Sequence, residues 1–175
     1  MKILARILIV VVVIIAIPLI MALFIKNEYT VEREATINKP KQEVFNYVKH
    51  LKNQDNYNYW TMMDPNLKKD FRGTDGTTGF VYAWEGEKAG KGEQEIKTIE
   101  EGERLELELR FIKPFESIAN TEFTTESVAE NQTKVSWKME GQNPYPFNFM
   151  NLFMDNMLGK DLETSLASLK GNLEK

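Results

Sequence analysis

The longest apolar run of the sequence lies near its N-terminus. Residues 7–25 read ILIVVVVIIAIPLIMALFI, 19 residues without a charge, and at the helical rise they span about 28 Å, close to the hydrocarbon thickness of a bilayer. Pro18 interrupts the run, but spanning helices tolerate proline where neighbouring groups satisfy the freed carbonyl. We therefore predict a single-pass membrane helix, with residues 1–26 as the anchor and residues 27–175 as a separate domain.

A cleaved signal peptide is the alternative for this run. Lys2 and Arg6 supply the basic start that such a peptide needs. The apolar run is longer than the usual ~7–15 residues, however, and no small-x-small cleavage site follows it, which favours the uncleaved anchor. Only Lys26 and Asn27 separate the run from the next pattern. Because two extended residues reach about 7 Å, we expect the domain to sit against the bilayer surface.

Apolar and polar residues alternate with a period of two at the start of the domain. EYTVEREATI alternates apolar and polar positions and predicts a strand. Pro40 suits the first turn of a following helix, and a short helix or irregular turn is expected over residues 53–60. Glycine-rich turns then separate short alternating segments, which predict an antiparallel sheet. The predicted strands lie near Lys68–Gly73, Gly79–Glu85, Gly92–Glu100, Arg104–Lys113, Ser117–Val128 and Thr133–Glu140.

The chain ends in a helical pattern that follows Pro144 and Pro146. On a helical wheel with 100° per residue, its apolar positions form two sets. The first set occupies an arc of about 140°, and the mean direction of the second set differs from that of the first by roughly 100°. We predict a bend or break near Gly159, between the two sets, because glycine weakens helix interiors. The first set is Phe147, Met150, Phe153, Met154, Met157 and Leu158, and the second is Leu162, Leu166, Leu169 and Leu173.

This order of elements predicts an α+β fold in which the longest helix covers the apolar face of one sheet. The stretches INKPKQEVFNYV and LASLKGNLEK resemble the two ends of the SRPBCC (START-like, helix-grip) superfamily, particularly its polyketide cyclase/dehydrase group. The resemblance runs from Glu28 to Lys175. It implies a helix-grip fold, in which a curved antiparallel sheet of about seven strands packs on the C-terminal helix. It also implies a cavity between them, which in relatives holds lipids, sterols, quinones or polyketides.

Aromatic and methionine side chains are the candidate walls of that cavity. Methionine and phenylalanine adapt to irregular apolar shapes, and tryptophan and tyrosine add polar tips to an apolar surface. The alternative is that these residues simply fill a core, which is the commoner role of such a stripe. The candidate ligand-binding residues are Trp60, Phe80, Tyr82, Trp84, Gln94, Leu107, Trp137, Met139, Met150, Phe153, Met154 and Met157.

Charge and composition narrow the function classes. The chain has a formal net charge of -4, and three of its 22 basic residues precede Asn27, so the domain keeps 19 basic against 26 acidic side chains. Such an acidic domain is an unlikely partner for nucleic acid. With no cysteine and a single histidine, zinc sites built on those ligands are excluded. His50 is expected to cap the end of a helix. No catalytic residue, cofactor or metal ligand is assigned.

Three functions follow from these expectations. The first is a membrane-tethered domain that binds a hydrophobic small molecule without covalent catalysis. The second is an enzyme of the cyclase/dehydrase type, whose pocket needs acid or base groups with shifted pKa values. The third is a module that binds a protein partner through its sheet or helix. Basic residues flank both ends of the apolar run, and long domains translocate largely regardless of charge. We expect the domain outside the cytoplasm, in the periplasm or the extracellular space, with the cytoplasmic placement kept open.

Overall fold

The computed structural model describes residues 2–175 as one sheet, four α-helices and two short 3₁₀ segments. The helices are α1 (Lys2–Ala22), α2 (Lys41–Lys49), α3 (Tyr59–Met62) and α4 (Asn151–Leu173). The 3₁₀ segments are Leu51–Asn56 and Phe147–Met150. The strands are β1 (Glu28–Ile37), β2 (Lys68–Arg72), β3 (Val81–Gly86), β4 (Gly90–Glu100), β5 (Arg104–Lys113), β6 (Ser117–Ala129) and β7 (Gln132–Gln142).

The seven strands form one curved antiparallel sheet in the order β1-β7-β6-β5-β4-β3-β2. Strands β2 to β7 form a meander of neighbouring hairpins, and β1 joins the far edge by pairing with β7. Bulges interrupt the register of β4 with β5 and of β6 with β7, and such bulges bend the strands that carry them. This confirms the predicted α+β helix-grip fold, with strand ends within a few residues of those expected.

The two faces of the sheet differ because apolar and charged residues alternate along its central strands. Along β5, Leu105, Leu107 and Leu109 are buried and point towards the helices. Arg110 points the other way, with its Nε 2.8 Å from Glu93 Oε1 and its Nη1 2.8 Å from Glu95 Oε2. The helices therefore cover one face only, and the charged face lies towards water. A cavity can form only on the helical side.

Helix α4 lies along β1 and buries a single stripe of side chains. It runs without interruption through Gly159, so the break expected there is absent. The guanidinium of Arg33 lies against this glycine, and a Cβ at Gly159 would come within 2.1 Å of Arg33 Nη2. Arg33 also binds Asp155 Oδ1 at 2.8 Å and Glu163 Oε1 at 2.6 Å. The glycine therefore makes room for an arginine clamp between β1 and α4.

Helix α1 extends away from the domain and leaves its apolar side chains exposed. Residues Ile3–Ala22 have a mean hydropathy of 3.2 and are long and apolar enough to cross a membrane. A signal sequence near an N-terminus has the same features. Pro18 lies inside the helix without ending it, as expected.

Candidate ligand cavity

A cavity of about 150 Å³ lies between the concave face of the sheet, α3 and the start of α4. Strands β3 to β7 supply most of its wall, and the segment from Gln54 to Leu67 closes it opposite the sheet. The lining is largely apolar. It consists of Gln54, Asn58, Trp60, Thr61, Leu67, Tyr82, Trp84, Ala89, Gln94, Leu109, Phe111, Thr121, Trp137, Met139 and Leu158.

All three tryptophans of the protein line this cavity. Trp60 meets Trp137 edge to face with the ring centroids 6.2 Å apart, and Trp84 meets Phe111 in the same way at 6.0 Å. The buried indole of Trp137 donates from Nε1 to Thr121 Oγ1 at 2.7 Å. The indole N–H groups of Trp137 and Trp84 both donate within the protein, so these two rings present apolar faces to whatever occupies the cavity.

Backbone geometry fixes the position of the Trp84 ring. The indole lies over β4, and a Cβ on Gly92 would come within 2.6 Å of Trp84 Cζ2. Its Nε1 donates to the carbonyl of Ala89 at 3.2 Å, at the tip of the β3–β4 hairpin. Glycine at position 92 thus allows the ring to pack flat on the neighbouring strand.

Buried amides form the polar part of the wall. Gln94 Nε2 donates to Gln54 Oε1 at 2.8 Å, and Gln54 Nε2 returns a longer bond of 3.3 Å to Gln94 Oε1. Asn58 Nδ2 also donates to Gln54 Oε1, at 3.0 Å. These bonds compensate the cost of burying amides. The three amides therefore offer a ligand dipoles that can orient it, but no charge.

Within the part of the chain that the structure describes, Tyr82 is the one lining residue whose side chain titrates. Its hydroxyl donates to Asp55 Oδ1 at 2.6 Å, and Lys69 Nζ lies 2.7 Å from the other oxygen of that carboxylate. Burial is the main cause that raises the pKa of Tyr82. The phenol therefore stays protonated at neutral pH and is committed to Asp55. Among residues 2–175, no cluster of three or more acidic or histidine side chains could hold a metal ion.

The cavity reaches the surface at the end of the sheet where β1 begins. The lining side chains that keep partial exposure include Trp60, Trp84, Ala89, Phe111 and Leu158. Trp84 pairs with Gly92, and Gly92 pairs with Phe111. The next row on the same face lies two residues further towards the middle of the sheet. It runs through Tyr82, Gln94, Leu109, Ala119, Gly141 and Tyr29. Since Tyr29 is the second residue of β1, the mouth and the junction with α1 lie at the same end.

A buried carboxylate holds the hairpin beside the mouth. Asp64 Oδ2 accepts a hydrogen bond from the backbone amide of Lys88 at 3.0 Å and lies 3.5 Å from the amide of Ala89. The Lys88 bond is the main cause that lowers the pKa of Asp64, because it favours the ionised form. Asp64 thus ties the loop after α3 to the β3–β4 turn.

The structure brings together half of the residues that the sequence pointed to. Trp60, Tyr82, Trp84, Gln94, Trp137 and Met139 line the cavity. Phe80 and Leu107 are buried in the core outside the lining, and Met154 is half-buried against that core. Met150, at the end of the 3₁₀ segment before α4, and Phe153 and Met157, within α4, are exposed. The last three are not among the lining residues, because the inward face of α4 is formed by Met154, Leu158 and the leucines that follow.

Other lining residues were missed. Leu109 and Phe111 follow the same alternation as Leu107, so the period of two contained a signal for them. Gln54 and Asn58 lie in an irregular segment with no periodicity, and only the fold brings them opposite Gln94.

Comparisons with known proteins agree with this architecture. Residues 28–174 match the family described as polyketide cyclase / dehydrase and lipid transport. Curated proteins give no match to the chain. Solved structures with the same fold include protein CV1439 from Chromobacterium violaceum, with 14% identity, a TM-score of 0.60 and coverage of 83% of this chain and 97% of that one.

Two further solved structures share the fold. XoxI from Bacillus cereus has 10% identity and a TM-score of 0.62, and the match covers 83% of this chain and 95% of that one. Ara h 8.0201 has 14% identity and a TM-score of 0.55, with 83% and 97% covered. Identities this low show the fold alone. The match over residues 28–174 shows that the chain belongs to the polyketide cyclase/dehydrase and lipid transport family.

Proposed function

We propose that this protein is a membrane-anchored binding domain for a hydrophobic small molecule, such as a lipid, a quinone or a polyketide-like compound. Residues 1–26 form the anchor and residues 27–175 bind the ligand. The observation that carries the proposal is the cavity walled by Trp60, Trp84 and Trp137. Apolar pockets with a few polar groups are typical of small-molecule sites. Membership of a family described by lipid transport supports the same class of ligand.

The size of the cavity restricts which part of a ligand enters it. Its volume is about 150 Å³, below the ~300–1,000 Å³ of sites that enclose drug-sized molecules. A slender apolar segment, such as part of an acyl chain or one ring, fits this space. A polar head group would stay at the mouth, beside Trp84 and Phe111. The amides of Gln54 and Gln94 would face the buried end.

Binding is favoured over catalysis by the chemistry of the lining. General acid–base catalysis needs a group that gains or loses a proton near the working pH. Among the lining residues only Tyr82 titrates, and its hydroxyl is held by Asp55. The amide and hydroxyl groups of the wall orient a ligand without transferring protons. We therefore rank catalysis of a cyclase/dehydrase reaction below ligand binding as the function of this protein.

Tryptophan fluorescence tests the proposal, since every tryptophan of the chain lines the cavity. Full-length protein in mild detergent is titrated with a brominated fatty acid, whose bromine quenches nearby indoles. We expect saturable quenching at one fatty acid per chain. Ala89→Phe places a bulky side chain at the mouth and should abolish the saturable phase.

Ala83→Phe is the matched control. Ala83 is on the same strand as Trp84 but faces away from the cavity, and its pairing partner is Glu93. This variant should quench like the parent. Equal quenching in the two variants would show that the bromine reaches the tryptophans from the detergent, and the binding proposal would be rejected.

A further inference from the structure

A second apolar surface lies outside the cavity, on the segment that enters α4. Residues 143–157 read NPYPFNFMNLFMDNM, with Asp155 as the only charge. Phe147 is 60% exposed, Phe153 54% and Met157 56%. We call this surface the outer apolar face and define it as Tyr145, Phe147, Met150, Leu152, Phe153 and Met157, all exposed. Monomeric soluble proteins rarely leave such contiguous apolar patches in water.

The charge of this segment is turned away from that face. Asp155 binds Arg33, with its Oδ1 2.8 Å from Arg33 Nη1. Further along the same helix, after Met157, no large apolar side chain is exposed, and the exposed positions include Lys160, Glu163 and Thr164. The outer apolar face is thus confined to residues 145–157, that is, to the segment before α4 and the first two turns of α4.

Two asparagines clamp this segment to the end of α1. Asn148 Nδ2 donates to the carbonyl of Ala22 and to that of Ile25, at 2.8 Å each. Asn151 Nδ2 donates to the carbonyls of Lys26 and Asn27 at 2.8 and 2.9 Å. The carbonyl of Ala22 lies at the end of α1, where carbonyls have no partner within the helix, so the bond from Asn148 satisfies it. Phe147 is adjacent to Asn148 in the chain and is therefore held beside the last turn of α1.

The β5–β6 hairpin is at the same end of the sheet. Its Phe115 is 81% exposed, and Ile118 is also exposed. Residues of this hairpin, Ser117 and Ile118, share a surface groove with Asn27 and Pro144. Exposed apolar side chains therefore surround the place where α1 leaves the domain, and the mouth of the cavity opens at this end.

We propose that the outer apolar face lies in the interfacial layer of the bilayer that α1 enters. The inference rests on the proposed anchor, because the asparagine clamp fixes this face beside the end of α1. Phenylalanine, tyrosine and methionine with few charges suit the headgroup boundary, where apolar faces are buried and polar tips stay wet. The domain is then held against the membrane at two points. The mouth faces the lipid, so that an apolar ligand passes between bilayer and cavity without crossing water.

Depth-dependent quenching tests this contact on the full chain. The protein has no cysteine, so a single one introduced by Phe147→Cys or Leu152→Cys accepts one environment-sensitive fluorophore. The labelled protein is reconstituted in phosphatidylcholine vesicles with lipids brominated near the glycerol end of the acyl chain. We expect both labels to lose emission in brominated vesicles relative to unbrominated ones.

Two further positions make the outcomes decisive. Val128→Cys is the matched control, since Val128 is an exposed apolar residue at the opposite end of the sheet, near the β6–β7 turn. Its label should keep its emission. Ile14→Cys, within α1, reports on the anchor in vesicles whose lipids are brominated near the methyl end of the acyl chain, at the depth of the middle of the span. If the Ile14 label is quenched and the Phe147 and Leu152 labels match Val128, the anchor stands and the contact proposed here is rejected. If the Ile14 label is not quenched, the anchor fails and the contact with it.

Discussion

Among single residues, Asp64 holds the hairpin beside the cavity mouth through hydrogen bonds to its carboxylate. Its carboxylate accepts the amide hydrogen of Lys88, and the turn that it holds carries Ala89, whose carbonyl positions the Trp84 indole. The lowered pKa of Asp64 means that the folded state favours the ionised carboxylate. Stability from this group is therefore fully present above the pKa of the unfolded chain, at about 4. It is lost as the pH falls through the lower pKa of the folded protein.

We predict that Asp64→Asn weakens the pH dependence of the midpoint of thermal unfolding between pH 7 and pH 3. Asparagine keeps one acceptor oxygen but cannot ionise, so the variant should be less stable than the parent at pH 7, and the difference should shrink towards pH 3. The measurement is the midpoint of thermal unfolding of the full chain in detergent at pH 7, 5, 4 and 3. Glu87→Gln removes an exposed carboxylate from the same hairpin and serves as the control. A constant difference between Asp64→Asn and the parent at all four pH values would contradict the assignment.

At the level of elements, α4 shows why one helix carries apolar residues in two directions. The sequence shows two sets of apolar positions, which predict a bend in the helix if both sets face inward. In the structure the helix is continuous, and one set points inward while Phe153 and Met157 point outward. The hydrophobic periodicity of a helix gives the direction of its apolar stripe. It does not show what covers that stripe in the folded protein.

We predict that the two glycines of α4 respond oppositely to alanine. Gly171 has open space around its Cβ position, so Gly171→Ala should raise the free energy of unfolding by up to about 1 kcal/mol through helix propensity. At Gly159 the new methyl group collides with the guanidinium of Arg33. Gly159→Ala should therefore lower the free energy of unfolding, because Arg33 must release Asp155 and Glu163. Urea titration in detergent, followed by tryptophan fluorescence, measures both.

The Arg33→Ala background separates this collision from other causes. Without the guanidinium, both glycine substitutions should stabilise the protein by similar amounts. If Gly159→Ala still destabilises the chain in that background, the clamp is not the reason for glycine at this position.

For the molecule as a whole, α1 is the candidate membrane span, and a signal sequence has the same features. We predict that the full chain, with residues 2–22 retained, stays with membranes after washing at alkaline pH. The physical reason is that about 20 apolar residues span the hydrocarbon region. The intact mass of the extracted protein distinguishes the anchor from a cleaved signal sequence. A shorter mature chain in the soluble fraction would exclude the anchor.

The side of the membrane is tested on intact cells. Protease added to spheroplasts should digest the domain, because we expect it outside the cytoplasm. Digestion only after lysis would place the domain in the cytoplasm and leave the anchor itself unaffected.

The sequence by itself determined the elements and the fold class. Alternation along β1 and β5 requires strands with one buried face, since side chains on a strand point alternately to its two sides. The apolar run near the N-terminus identifies the one helix of residues 2–175 that is both long and apolar enough to cross a membrane. These features are local, so neighbouring residues carry all the information needed to recognise them.

Only the tertiary structure decided which apolar residues meet one another. Trp60, Trp84 and Trp137 are far apart in sequence, and the curvature of the sheet brings them around one cavity together with the amides of Gln54 and Asn58. Phe153 and Met154 are adjacent in sequence, yet one is exposed and the other packs on the core. Successive helical side chains point about 100° apart, so the rotation of α4 about its axis separates them. That rotation is fixed by long-range contacts. The main ones are the Arg33 clamp and the hydrogen bonds from Asn148 and Asn151 to the end of α1 and the residues after it.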